Sequence, residues 1–134
     1  MTDAASPPAS IGSRIGTLAF AFLIGVLAGA IGTIGHRQEV RIGEVAIPWG
    51  IVAALVGVAA LLLGIRLVAG GRLVAGVAAA GIVATVSLLS LPGLGGSVLI
   101  PSGVVGTVWA VGPALIAVLV VAFPSMPPAR RDRA

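Results

Sequence analysis

The chain has 134 residues, of which 58% are hydrophobic and 9% charged, and its formal net charge is +4. Soluble domains carry roughly 25% charged residues, so this composition excludes an ordinary soluble globule and predicts an integral membrane protein. The absence of cysteine excludes disulfide bonds and thiolate chemistry. The basic residues lie between apolar runs and near the C-terminus, without interleaved aromatic residues, so we do not expect nucleic-acid binding.

Four apolar runs along the chain are each long enough to form a transmembrane helix. A helix rises about 1.5 Å per residue, so about 20 apolar residues cross a bilayer core. A helix of a soluble bundle has one polar face, whereas these runs are apolar on every side. The predicted fold is therefore all-α and integral to the membrane, a bundle of four transmembrane helices. The predicted spans are about 15–35, 47–65, 73–91 and 104–123.

Two short tails flank this predicted transmembrane domain of residues 15–124. Residues 1–14 are small, polar and proline-containing, which predicts a disordered tail, and residues 125–134 form a basic tail. A cleaved signal peptide is the competing interpretation of the first apolar run. That run is longer than a typical signal-peptide core, and Asp3 as well as Arg14 precedes it, so we predict a membrane span instead.

The distribution of arginine predicts the orientation in the membrane. Arg14, the 66–72 turn and the C-terminal tail hold most of the arginines, whereas Arg37 and Arg41 lie on the other side. By the positive-inside rule, both termini are predicted to be cytoplasmic in a multi-pass protein of the plasma membrane. Indole and arginine side chains favour the headgroup region. The residues expected to anchor the spans there are Trp49, Trp109, Arg66 and Arg72.

The two outer connections, residues 36–46 and 92–103, carry the most distinctive sequence outside the spans. Polar and apolar residues alternate over residues 39–42, and residues 97–100 are a β-prone run between glycine and proline. Pairing of these two segments would form a short extracellular two-stranded β-ribbon and would satisfy the backbone groups of an uncharged loop. Two irregular loops are the alternative.

Small residues predict where the helices pack closely. Gly25, Gly29 and Gly32 lie in overlapping small-xxx-small spacings in the first span, and Gly76 begins another in the third. Such spacings let helix backbones approach, and they serve packing within the bundle or a dimer face. Pro113 lies in the middle of the fourth span and predicts a kink, because it removes a helical hydrogen bond.

Groups that do chemistry are scarce in this chain. The four predicted spans contain no aspartate, glutamate, histidine, lysine or arginine, and coupled transporters ordinarily need such groups at membrane depth. His36 is the single histidine and is expected to be solvated, since zinc requires three or four ligands. We therefore predict no catalytic site, no metal site and no cofactor, and we do not expect an enzyme.

Three segments resemble a family of uncharacterised actinobacterial membrane proteins with four spans. They are Val40-Arg41-Ile42-Gly43, Pro48-Trp49-Gly50 and the stretch from Gly96 to Pro124. The resemblance would cover roughly residues 15–124 and implies the four-span architecture and an actinobacterial plasma membrane. Family members often carry an acidic residue in the last loop, where this chain has Gly95-Gly96-Ser97, so any role of that acid does not transfer. The family has no established activity, and the resemblance implies no mechanism.

The expected function is that of a non-enzymatic accessory or scaffold component of a membrane complex. Its partners would be the lipid bilayer and either another membrane protein or further copies of the chain. The alternative is a small channel or transporter whose pore forms only on oligomerisation. A water-filled pore requires polar positions repeating along one helix face, and the spans contain few.

Overall fold

The computed structural model describes residues 5–93, 100 and 102–124. Four helices in this part of the chain are long and apolar enough to cross a membrane, which confirms the predicted number of long apolar helices. A two-stranded sheet lies between the first two helices. The elements are α1 Ile11–Gly35, β1 Val40–Ile42, β2 Val45–Ile47, α2 Trp49–Ala69, α3 Arg72–Leu89 and α4 Val104–Ala122.

Capping residues set the helix ends more closely than hydropathy does. α1 begins at Ile11, inside the tail predicted to be disordered, because the Ser10 hydroxyl accepts a hydrogen bond from the Ser13 N–H at 3.1 Å. α2 continues past Arg66 to Ala69 and ends at Gly70, whose φ of +67° is left-handed. The connection between α2 and α3 is thereby reduced to two residues. The C-terminal tail lies outside the described residues.

The sheet is a hairpin formed between α1 and α2. β1 and β2 pair antiparallel, with Val40 opposite Ile47 and Ile42 opposite Val45, and Gly43 takes a left-handed φ of +64° in the turn. A β-ribbon therefore exists, but the segment that pairs with residues 40–42 follows directly in the chain. Of the predicted partner segment, residues 97–100, only Ile100 is described, and it belongs to no strand. A two-residue turn costs less loop entropy than a connection through two helices.

Backbone contact between α1 and α3 forms the centre of the bundle. A β-carbon on Gly25 would overlap the Ala78 carbonyl, and one on Gly81 would overlap the Phe22 carbonyl. These glycines allow the two backbones to touch. Gly76, predicted as the packing glycine of this helix, has no described atom within 4 Å of the position of a β-carbon. The close approach instead occurs at Gly81, because that position lies on the face of α3 that meets α1.

The remaining interfaces use larger side chains. α4 continues through Pro113, which is fully buried, and the adjacent Gly112 lies against the Leu55 side chain of α2. The kink at Pro113 stays a prediction. Many large apolar side chains point outward, including Leu67 at 81% exposure, as expected for a surface in contact with lipid. The largest fully buried apolar side chains include Trp109, Leu62, Ile82 and Val86.

Contacts between helix ends show which ends lie together. The Gly50 N–H donates to the Gln38 carbonyl at 2.9 Å, so the start of α2 lies beside the end of α1. At the opposite end, the Arg66 side chain donates to the Val120 carbonyl of α4. We call the first end, which contains the hairpin and the start of α4, the hairpin end of the bundle.

Candidate functional site

Three side chains form a buried polar cluster at the hairpin end. Thr33 and His36 are the only buried polar or charged residues in the described part of the chain, and both meet Trp109 of α4. The Trp109 Nε1–H donates to the Thr33 hydroxyl at 3.1 Å, and that hydroxyl donates to the Gly29 carbonyl at 2.7 Å. The His36 and Trp109 rings stack, with centroids 5.5 Å apart and planes inclined by 12°. The polar groups thus join the end of α1 to α4.

The hydrogen bonds of His36 define its neutral tautomer. Its Nδ1 lies 2.7 Å from the Thr33 carbonyl oxygen, which can only accept, so Nδ1 carries the proton and donates. The lone pair of the neutral ring is then on Nε2. That atom is buried and has no hydrogen-bond partner among the described residues. Unsatisfied buried polar atoms are uncommon in folded proteins, so Nε2 is the chemically distinctive atom of the cluster.

The structure places Trp109 in the protein interior, which corrects its expected position at the lipid interface. The side chain is 0% exposed, and its ring occupies the space that a β-carbon on Gly32 would fill. The missing side chain at Gly32 admits the indole between α1 and α4, and Thr33 provides the acceptor that a buried N–H requires. Gly32 therefore packs against a ring, whereas Gly25 and Gly29 pack against the backbone and side chains of α3.

An open cleft of about 260 Å³ adjoins the cluster and has His36 in its wall. Arg37 and residues 102–106 complete the lining. α4 begins within this segment, and its N-cap residue Gly103 provides no side-chain hydrogen bond to the first turn. The N–H groups of that turn have no intrahelical acceptor. The cleft is therefore lined by a cationic side chain and by the first residues of a helix.

The other expected anchors lie at both ends of the bundle. Trp49 is 48% exposed in the first turn of α2, at the hairpin end. Arg72 is exposed as the first residue of α3, at the opposite end. Arg66 has a role beyond anchoring, because its guanidinium donates to the carbonyls of Val120 and Phe123. It thereby caps carbonyl groups at the end of α4 that have no helical donor.

Replacing Arg66 is expected to weaken the bundle more than replacing Arg72. Hydrogen bonds from charged donors contribute about 1.5–3 kcal/mol, so R66Q should lower the free energy of unfolding by about 2 kcal/mol. R72Q should lower it by less than about 0.5 kcal/mol, as is usual at exposed positions. Titration with SDS in mixed micelles, followed by circular dichroism, measures both. Equal losses of unfolding free energy in R66Q and R72Q would show that Arg66 stabilises the bundle through contact with lipid and not through its hydrogen bonds to α4.

Sequence reasoning missed this cluster. His36 was expected to be solvated, yet it is 1% exposed, and the spans were expected to contain few polar positions. One signal was present: Thr33 and His36 are three residues apart and therefore share a face of α1. Their contact with Trp109 joins residues that are 76 and 73 positions apart in the chain, and the sequence offers no direct sign of it.

The comparisons with known proteins add no family or neighbour to these observations. No protein-family model, curated protein or solved structure matches the chain. The resemblance to an actinobacterial membrane family stays a prediction.

Proposed function

We propose that the protein is a non-enzymatic accessory or scaffold subunit that binds a transmembrane helix of another membrane protein through α2. The observation that supports this is a pair of glycines on α2 that the bundle does not use. Apart from the adjacent backbone of α2 itself, no described atom lies within 4 Å of a β-carbon built on Gly57 or Gly64. At Gly25, Gly81 and Gly112, by contrast, a β-carbon would overlap a neighbouring helix.

The unused glycines belong to one face of α2. Gly57, Ala60 and Gly64 are three to four residues apart and therefore align along the helix, and Gly57 and Ala60 are exposed. Glycine inside a helix is unfavourable by roughly 0.5–1 kcal/mol relative to alanine. A helix packed against this face would gain from the close backbone approach that glycine permits.

A groove beside this face has the character of a helix-binding surface. It measures about 430 Å³ and runs between α1 and α2, with Ala60 and Gly64 on one wall and Phe20 and Ile24 on the other. An acyl chain does not need small residues to pack, whereas a second helix approaches closely only where side chains are small. The proposed occupant is therefore a transmembrane helix of a partner protein.

The polar cluster does not favour catalysis. The Thr33 hydroxyl both donates to Gly29 and accepts from Trp109, so it is not held by a base, as a nucleophile would be. Polar side chains buried in the described interior lie only at the hairpin end. A pore would need them along the whole bundle, so a single copy supports the channel alternative less well than the accessory role.

The proposed location is the plasma membrane, with both termini in the cytoplasm and the hairpin end outside. Arg66 and Arg72 lie at the end opposite the hairpin, and the positive-inside rule places such residues in the cytoplasm. Cysteine accessibility scanning of the cysteine-free chain tests this orientation directly, with single cysteines at Glu44 and Gly71.

The decisive experiment isolates the tagged protein in native nanodiscs and weighs the intact assembly by mass spectrometry. We expect a stoichiometric partner that is lost from G57L/G64L and retained by G76L, a matched control with equally open surroundings. A photo-crosslinking residue at position 60 should label the same partner. A homo-oligomer without a partner would contradict the proposal and favour the pore alternative. Loss of the partner from G76L alone would contradict the assignment of the binding face to α2.

A further inference from the structure

We infer that the β1–β2 hairpin lies in the headgroup region of the bilayer and rests one of its faces on the lipid acyl chains. That face, which we call the aliphatic face, consists of Val40, Ile42, Val45 and Ile47. Its partner is a phospholipid surface. The inference goes beyond the proposed accessory role and does not depend on it, because the aliphatic face is separate from the glycine face of α2.

The strand register places the four aliphatic side chains together. Successive residues of a strand point to opposite faces, and residues directly opposite each other in an antiparallel pair share a face. Val40 is opposite Ile47 and Ile42 is opposite Val45. Each of these side chains is 45–65% exposed, so the helices leave the aliphatic face open. An isolated two-stranded hairpin is at best marginally stable in water, and a cover over this face would stabilise it.

The opposite face of the hairpin is polar. Arg41 pairs with Ala46 across the strands, and the Arg41 Nε–H donates to a Glu39 carboxylate oxygen at 3.2 Å. Glu44 is exposed in the turn. The hairpin is thus amphipathic, with its charged side chains on one face and in the turn. An element of this kind is stable in the membrane interface, with its apolar face towards the acyl chains and its charges towards water.

The length of the hairpin keeps it close to the membrane surface. α1 ends at Gly35 and α2 begins at Trp49, and the Gly50 N–H donates to the Gln38 carbonyl at 2.9 Å, which holds the base of the hairpin against the helix ends. A three-residue strand extends about 10 Å, and the headgroup layer on each side of a bilayer is about 5–8 Å thick. The half-exposed Trp49 indole, next to the hairpin, is of the type that favours the same layer.

Two observations favour lipid over a protein as the cover. The apolar surface of the helices continues up to the hairpin, since Ile34 near the end of α1 and Val52 near the start of α2 are 75% and 61% exposed. The aliphatic face is also small, because it has four residues, whereas a stable protein interface takes about 20–30 residues a side. A lipid surface requires no minimum area and already surrounds the adjoining helix turns.

The test places single spin labels on the two faces of the hairpin. The chain has no cysteine, so I42C, V45C and A46C each carry one nitroxide in vesicles of phosphatidylcholine and phosphatidylglycerol. Oxygen concentrates in lipid and a nickel chelate stays in water, so the relaxation of each label by the two reagents reports its surroundings. We expect oxygen to relax the labels at 42 and 45 more than nickel does, and nickel to relax the label at 46 more than oxygen does.

The controls calibrate the two environments and verify the hairpin. L27C on the exposed surface of α1 is the lipid reference, and E44C in the turn is the water reference. Dipolar broadening in doubly labelled R41C/A46C should show that the strands are paired in the vesicles. Stronger relaxation by nickel at 42 and 45 would overturn the inference, since the aliphatic face would then lie in water. Protection of both positions from both reagents would overturn it in favour of a protein cover, and absence of broadening would show that no hairpin forms.

Discussion

G25A is expected to destabilise the bundle severely, although it adds a single methyl group. The β-carbon would overlap the carbonyl group of Ala78, which is part of a helix backbone and cannot rotate away. Relief therefore requires α1 and α3 to separate along their interface, and Gly81, which packs against Phe22 from the other side, would lose its contact too. Overpacking costs typically 1–3 kcal/mol, and we expect about 3 kcal/mol here, measured as a lower SDS midpoint in mixed micelles.

The same substitution at Gly76 should instead stabilise the bundle. Nothing in the described chain lies within 4 Å of a β-carbon at this position, and alanine is favoured over glycine in a helix by roughly 0.5–1 kcal/mol. G76A is thus a matched control on a helix of the same pair. Equal effects of G25A and G76A would show that α1 and α3 do not meet through their backbones in the membrane.

The fold could largely be predicted from the sequence because hydropathy has a direct physical meaning in a bilayer. A backbone in lipid must satisfy its own hydrogen bonds, so a long uncharged apolar run forms a helix. The helix starts and ends depended on finer chemistry. With Ser10 as its N-cap, α1 begins before the apolar run does, and with Gly70 as its C-cap, α2 ends after Arg66. These capping signals were present in the sequence, but hydropathy does not detect them.

The ribbon contains a predicted strand whose observed partner follows it directly in the chain. Alternation in residues 39–42 predicted a strand, and the structure has a strand at Val40–Ile42. Of its partner strand, Val45–Ile47, the first two residues were assigned to the connection 36–46 without a strand, and Ile47 was assigned to the start of the second span. The two-residue Gly43-Glu44 interval between β-prone runs was the better guide, since a glycine with positive φ permits a tight hairpin turn.

The polar cluster could not be predicted because it depends on which faces of α1 and α4 meet. Small-residue spacing identified Gly32 as a packing position but not what packs there. A tryptophan early in a span usually indicates an interfacial anchor, and only the space above Gly32 and the acceptor at Thr33 bring Trp109 inside. Burial of His36 then follows, because the indole covers one face of its ring.

W109A is expected to have the largest effect of any replacement at the hairpin end. The indole is fully buried, stacks on His36 and donates to Thr33. Truncation of a buried tryptophan to alanine costs about 3–5 kcal/mol, and here it also exposes the imidazole. We expect a loss of about 4 kcal/mol in the SDS unfolding free energy, together with rapid solvent exchange of the His36 Nδ1–H.

The control for this prediction is W49A, which removes the same side chain from a half-exposed position at the same end of the bundle. It should cost less than about 1 kcal/mol, because little packing is lost at an exposed site. W109F separates ring packing from hydrogen bonding at the buried site. It keeps an aromatic ring over Gly32 but removes the N–H donor, and loss of that hydrogen bond should cost about 1–2 kcal/mol. If W109A and W49A lowered stability equally, Trp109 would be an interfacial anchor after all, and His36 would have to owe its burial to another contact. A large loss confined to W109A would place the indole in the interior and make its ring the structural support of the buried His36.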